Sequence, residues 1–259
     1  MPSLNSSKRL GNLLRDDFFI GFRAAAVASL VATFLFKNTL AMAVTVLAAF
    51  WSHARLTQRL DENRQGIWEE KRSAWLVNGE LTVSIVSLFL GALVCFLAYN
   101  YLFHELPTDK DPSSFFKNDF KPLVIHNLRV LLGCYILCLF YSANGLLLVL
   151  LWNAFHWASS FVLLILYVFS LNTDKSLIVL LLRCSAVLPH LLLEATGFVL
   201  AGLAGLFLSK ACARYKLASS QFFRVSRACV VILLVAALLI TLAAKIEISF
   251  AQHVVRELI

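Results

Sequence analysis

Seven stretches of the chain are nearly free of charge: 18–36, 39–53, 81–103, 122–142, 144–170, 177–208 and 228–246. Inside them Leu, Ile, Val, Ala and Phe follow one another in solid runs, without the apolar–polar alternation that a membrane β-barrel strand requires. A helix crosses a hydrocarbon core of about 30 Å with about 20 apolar residues, and most of these runs reach that length. Away from water only a helix satisfies every backbone group within one such run. The pattern therefore predicts an all-α, polytopic transmembrane helical bundle with five core spanning helices.

The first two runs are the exceptions, because 39–53 is short and 18–36 carries Arg23. They predict an extra N-terminal hairpin over 18–53, an interfacial pair or one broken helix. The run 177–208 is too long instead, at roughly 48 Å as a single helix. Pro189 lacks a backbone donor and clashes with the preceding turn, so a break is expected there. That leaves a spanning helix from about Pro189 to Leu208, with 177–187 lying on the interface, re-entering or continuing at a kink. The stretch 1–43 has the outline of a secretory leader, with Ala41-Met42-Ala43 resembling a cleavage site, and is expected to be retained. Three regions follow: 1–80 with the weak hairpin and a charged connector, a membrane domain over 81–250, and a tail over 251–259.

Composition agrees, with 60% hydrophobic and 15% charged residues, well below the roughly 25% charged of a soluble domain. The net charge of +8 does not point to nucleic acid, because the basic residues lie between the apolar runs and form no continuous face. Lys8, Arg9 and Arg15, then Arg55, Arg59, Arg64, Lys71 and Arg72, then Lys210, Arg214, Lys216, Arg224 and Arg227 occupy alternate connections. The excess of positive charge on cytoplasmic loops then predicts an amino terminus in the cytoplasm and a carboxyl terminus outside. The connectors 54–80 and 209–227 fall inside and the loop 104–121 outside. The six cysteines lie in or beside apolar runs without a CxxC pair, as small packing residues do.

The candidate chemistry sits around Glu194. At about 100° per residue, His190, Glu194, Gly197, Ala201 and Gly205 fall within about 80° of one another on one helix face. Gly197, Ala201 and Gly205 form a ladder of small residues that lets another helix approach closely, so this face is expected to be buried against protein. A carboxylate at membrane depth needs a cation, a proton or water. Arg129 and Glu247 enter their own helices from the same side, which predicts an outward-side polar cluster of Arg129, His190, Glu194 and Glu247. The leading reading is a register lock between helices. A solute or proton path is the second. The spacing of His190 and Glu194 also suits two metal ligands on successive turns, but no HExxH motif accompanies it, and neither a metal nor a cofactor is expected. Asn153, His156 and Ser160 share a face as well, yet no nucleophile elbow, P-loop or dinucleotide fingerprint is present, and polar packing is the stronger account.

These residues gather into a familiar order. The segment 188–208, LPHLLLEATGFVLAGLAGLFL, resembles the signature helix of the stage II sporulation protein M family. Upstream, His126-Asn127-Leu128-Arg129 with Gly133 resembles that family's Asn-x-Arg helix, and Asn144-Gly145-Leu146-Leu147 its turn into the next helix. Downstream, Ala243-Ala244-Lys245-Ile246-Glu247 resembles its closing motif. The resemblance spans about 81–250, with Leu191 standing where the family usually has glycine and Lys245 where it is usually apolar. It implies a five-helix membrane protein without enzymatic activity that anchors or organises cell-envelope partners; the namesake works with two peptidoglycan-remodelling partners during engulfment. Asn127, Asn144, Gly145 and Pro189 are then motif residues, and Gly133, Gly197, Ala201 and Gly205 packing residues. The alternatives from other classes are a permease or permease subunit and an intramembrane metal-dependent hydrolase.

Overall fold

The computed structural model describes residues 3–35, 40–103, 119–170 and 177–258. All regular structure among them is helical: α1 (Ser3–Leu35), α2 (Leu40–Trp68), α3 (Ala74–Phe103), α4 (Phe120–Tyr141), α5 (Ala143–Ser170), α6 (Leu177–Arg214) and α7 (Ser220–Leu258). Six of these are long and apolar enough to cross a membrane, α2 being the exception. The chain is a polytopic helical bundle.

The helices outrun the apolar runs, because a helix can continue in water once its membrane part is made. The expected connector 54–80 is mostly the end of α2 and the start of α3, leaving only 69–73 between them. Likewise α6 runs on to Arg214, and the expected tail 251–259 continues α7 to Leu258. The loop 104–121 lies outside the described residues except for 119–121. Of the arrangements expected at Pro189, the helix continues: α6 passes through the proline as one helix, and its candidate span runs from Pro189 to Arg214. A proline inside a membrane helix forfeits one backbone bond, and local adjustment can absorb that loss without ending the helix.

The contacts divide the chain into two compact units, Met1–His104 with Leu150–Val162, and Glu105–Val149 with Leu163–Ile259. In the first, α1 and α3 approach to backbone distance. A Cβ placed on Gly21 would strike the Leu88 carbonyl, and one on Gly91 the Phe18 carbonyl. Ala25, Ala28 and Ala32 continue this fully buried seam along α1. Further along both helices the Thr33 and Tyr99 hydroxyls hydrogen-bond at 2.6 Å. Phe18 with Gly91 and then Thr33 with Tyr99 fix α1 and α3 as parallel neighbours.

Parallel neighbours joined in sequence need the chain to run back between them, and α2 makes that return. Its polar half meets Asp17 of α1 and Val77 of α3, both near the opposite end from Thr33. So α2 returns antiparallel to both, and α1 and α2 form a helical hairpin. On α2, Thr45 and Ser52 are buried, and Arg55 and Arg59 beyond them are largely covered by protein, while Asp61 and Arg64 are exposed.

The second unit is built on α4, α6 and α7 with the start of α5. Leu131, Cys134, Val149, Phe198, Ala201, Ala236 and Ile240 form its core. Leu123, Ala244 and Ile248 form a smaller cluster at the end where α4 begins. The turn from α4 into α5 is tight: Ser142 takes a positive φ of 52° and its N–H donates to the Cys138 carbonyl at 2.9 Å. Gly145 lies against the Leu137 carbonyl, where a side chain would not fit.

Candidate functional site

Within the second unit α4 and α6 run parallel and α7 antiparallel to both, so the beginning of α4, the Pro189 region of α6 and the last part of α7 share one end. His190 is buried there, and its ring Nδ1 has no hydrogen-bond partner among the described residues. Glu194, one turn further, is half-buried and lies in electrostatic range of the half-buried Glu247 carboxylate. The helix pair thus carries two acidic groups that repel one another beside a buried imidazole.

Arg129 departs from the expected cluster. It lies in the first half of α4, but the side chain is exposed, and among the described residues it forms no ion pair. The reason is helix phase: Asn127 and Leu131 are the buried positions of α4, and Arg129 lies about 200° from each in turn.

The small-residue ladder of α6 separates into two seams. A Cβ on Gly197 would come within 2.8 Å of Ile240 Cγ1 and 3.2 Å of the Ala236 carbonyl oxygen on α7. One on Gly205 would strike the Tyr135 carbonyl on α4 and lie 3.0 Å from the Leu139 nitrogen. Ala201 is fully buried between these positions. Gly202, absent from the expected face, packs against Leu146 and Cys138. Gly133 was expected to pack as well, yet a Cβ there would meet nothing within 4 Å among the described residues. Of the motif residues, Asn127 is buried, while Asn144 and Pro189 are exposed. On α5, His156 is exposed and stacks against Trp152 with ring centroids 4.3 Å apart.

This arrangement coincides with a family pattern that covers nearly the whole chain. The family of stage II sporulation protein M matches residues 18–251. The chain belongs to that family. No curated protein and no solved structure matches it. The family match begins at residue 18 and so takes in the α1–α2 hairpin, which the motif resemblance left outside.

That hairpin holds the ionic cluster sequence reading missed. Asp17 is fully buried and accepts bonds from Arg55 Nε at 2.5 Å and from Arg59 Nε at 3.1 Å. Arg59 also donates to Glu62 at 2.7 Å. Burial disfavours the Arg59 charge, but Glu62 and Asp17 outweigh it and hold its pKa above the ordinary guanidinium value. Nearby, Arg72 donates to Glu80 at 2.6 Å, and that bond raises its pKa in the same sense. Leu13, Arg59, Glu62, Asn63, Val77, Glu80 and Leu81 line a small cavity at this end. Asp17 falls one residue before the first apolar run, where it reads as a boundary charge; only the partner helix reveals it as buried.

Proposed function

We propose that this integral membrane protein anchors or organises cell-envelope partners and catalyses no reaction itself. The observation that supports this most directly is the packing of the second unit. Gly205 brings α6 against α4 at a distance that excludes even a methyl group, and Gly197 brings α6 close enough to α7 that a methyl would press on the Ile240 side chain. Seams packed to that density suit a rigid platform better than a path that must open for a solute. The amino terminus lies in the cytoplasm and the carboxyl terminus outside, a reading supported by the basic residues at the α2–α3 and α6–α7 turns together with the antiparallel return of α2. Glu194 and His190 serve to hold α6 in register.

Capture of the tagged full chain from crosslinked native membranes tests this. The expected result is one set of envelope proteins retained both by the unaltered chain and by Glu194→Gln. Absence of any envelope protein, together with a pH-dependent flux in proteoliposomes that Glu194→Gln abolishes, would overturn it. That outcome belongs to a second reading, a permease, which draws support from the Nδ1 of buried His190, without a hydrogen-bond partner among the described residues and one helical turn from Glu194.

A further inference from the structure

The corner between α6 and α7 carries a charge imbalance that topology alone does not use. From Ala195 to Ile246 the sequence contains no acidic residue. Lys210, Arg214, Lys216, Arg224 and Arg227 all lie in this interval and all are exposed. Among the described residues none of them forms an ion pair. The cations are nonetheless held on an ordered scaffold. The Tyr215 N–H donates to the Ala211 carbonyl at 2.9 Å and the Ser219 N–H to the Lys216 carbonyl at 2.8 Å. The Ser219 hydroxyl caps α7 by accepting from the Phe222 N–H at 3.2 Å.

The position of the corner selects the ligand. Val230, Val231 and Leu234 are exposed on α7 and begin the lipid-facing apolar band, so Arg224 and Arg227 lie within about two turns of its edge. Leu217 and Phe223 are also exposed among the cations, at 65% and 58%. Apolar side chains beside unpaired cations at a membrane edge match the boundary between acyl chains and headgroups. We propose that the α6–α7 corner binds anionic phospholipid headgroups, with these five cations meeting the lipid phosphates and Leu217 and Phe223 entering the acyl boundary. A soluble acidic partner would satisfy the charges but leave the two apolar side chains without a nonpolar medium.

The test places the full-length protein in nanodiscs of mixed phosphatidylcholine and phosphatidylglycerol and measures the lipids retained after extraction by native mass spectrometry. Phosphatidylglycerol is expected to be enriched over its bulk fraction, and raised salt to erase the enrichment. Each cation near a surface contributes roughly a fivefold preference, so R214Q/R224Q/R227Q should lower it on the order of a hundredfold. R214K/R224K/R227K should restore it, since the attraction is to charge. Retained lipids that mirror the bulk, or an enrichment indifferent to both salt and the glutamine variant, would overturn the proposal. So would displacement of phosphatidylglycerol by inorganic phosphate at matched concentration, which would assign the site to free phosphate. If the triple variant does not fold, the salt titration of the unaltered protein and R224Q alone decide the matter.

Discussion

Replacing Gly205 by alanine adds one methyl group, and the structure fixes what that methyl meets. The new Cβ would strike the Tyr135 carbonyl and sit 3.0 Å from the Leu139 nitrogen and 3.1 Å from Cys138 Cβ. Two of these are backbone atoms of α4, so no side-chain rotation relieves the clash and the helices must separate. A gap of 0.5–1 Å forfeits about a quarter to a half of each dispersion contact along the seam, and overpacking of this kind costs about 1–3 kcal/mol. Alanine is the better helix former by about 1 kcal/mol, which offsets part of that loss. The net expectation is a destabilisation of up to about 2 kcal/mol. Gly133→Ala is the internal control, in the same unit and the same chemistry. Its Cβ meets nothing among the described residues, so only the helix-propensity gain of about 1 kcal/mol remains. Thermal unfolding in detergent, followed by the loss of monodisperse protein on size exclusion, should therefore place Gly133→Ala above and Gly205→Ala below the unaltered protein. Equal midpoints for the two variants, or a more stable Gly205→Ala, would refute the close approach of α4 and α6.

Asp17→Ala strands Arg55 and Arg59 beside a dry site and should cost about 2–4 kcal/mol in the same assay, whereas Asp16→Ala, which loses only an exposed pair with Arg15, should be near neutral. Similar losses for the two would argue against the hairpin lock. Cys212 is the exposed free cysteine among the described residues; in a Cys184→Ala background, a membrane-impermeant maleimide should label it in inside-out vesicles and not in intact cells, and the reverse pattern would invert the orientation. Glu194→Gln and Glu247→Gln should combine non-additively, because either change relieves the repulsion, while Arg129→Ala and Glu194→Ala should add within about 0.5 kcal/mol. Strong coupling between Arg129 and Glu194 would return the arginine to the cluster.

The fold class and the positions of the long apolar helices were legible in the sequence. These follow from one-dimensional physics: the length of an apolar run against the thickness of a bilayer, and the rise of a helix counted from its end. The motif order around Pro189, His190 and Glu194 was legible along the chain, whereas Gly197 and Gly205, expected on one packing face, serve two different partner helices. What remained undecided was which face of each helix has a neighbour. Gly133 and Gly205 are the same residue type in helices of similar composition, yet one is open and the other meets backbone, because that difference belongs to the partner helix. Arg129 points away from the expected cluster, since Asn127 and Leu131 take the buried phase of α4 and Leu131 packs against α6 and α7. Asp17 looks like a boundary charge until α2 folds back and delivers Arg55 and Arg59 to it. The return of α2 was likewise invisible in its own short apolar run: it runs back antiparallel because α1 and α3 pack in parallel and the chain between them has to return.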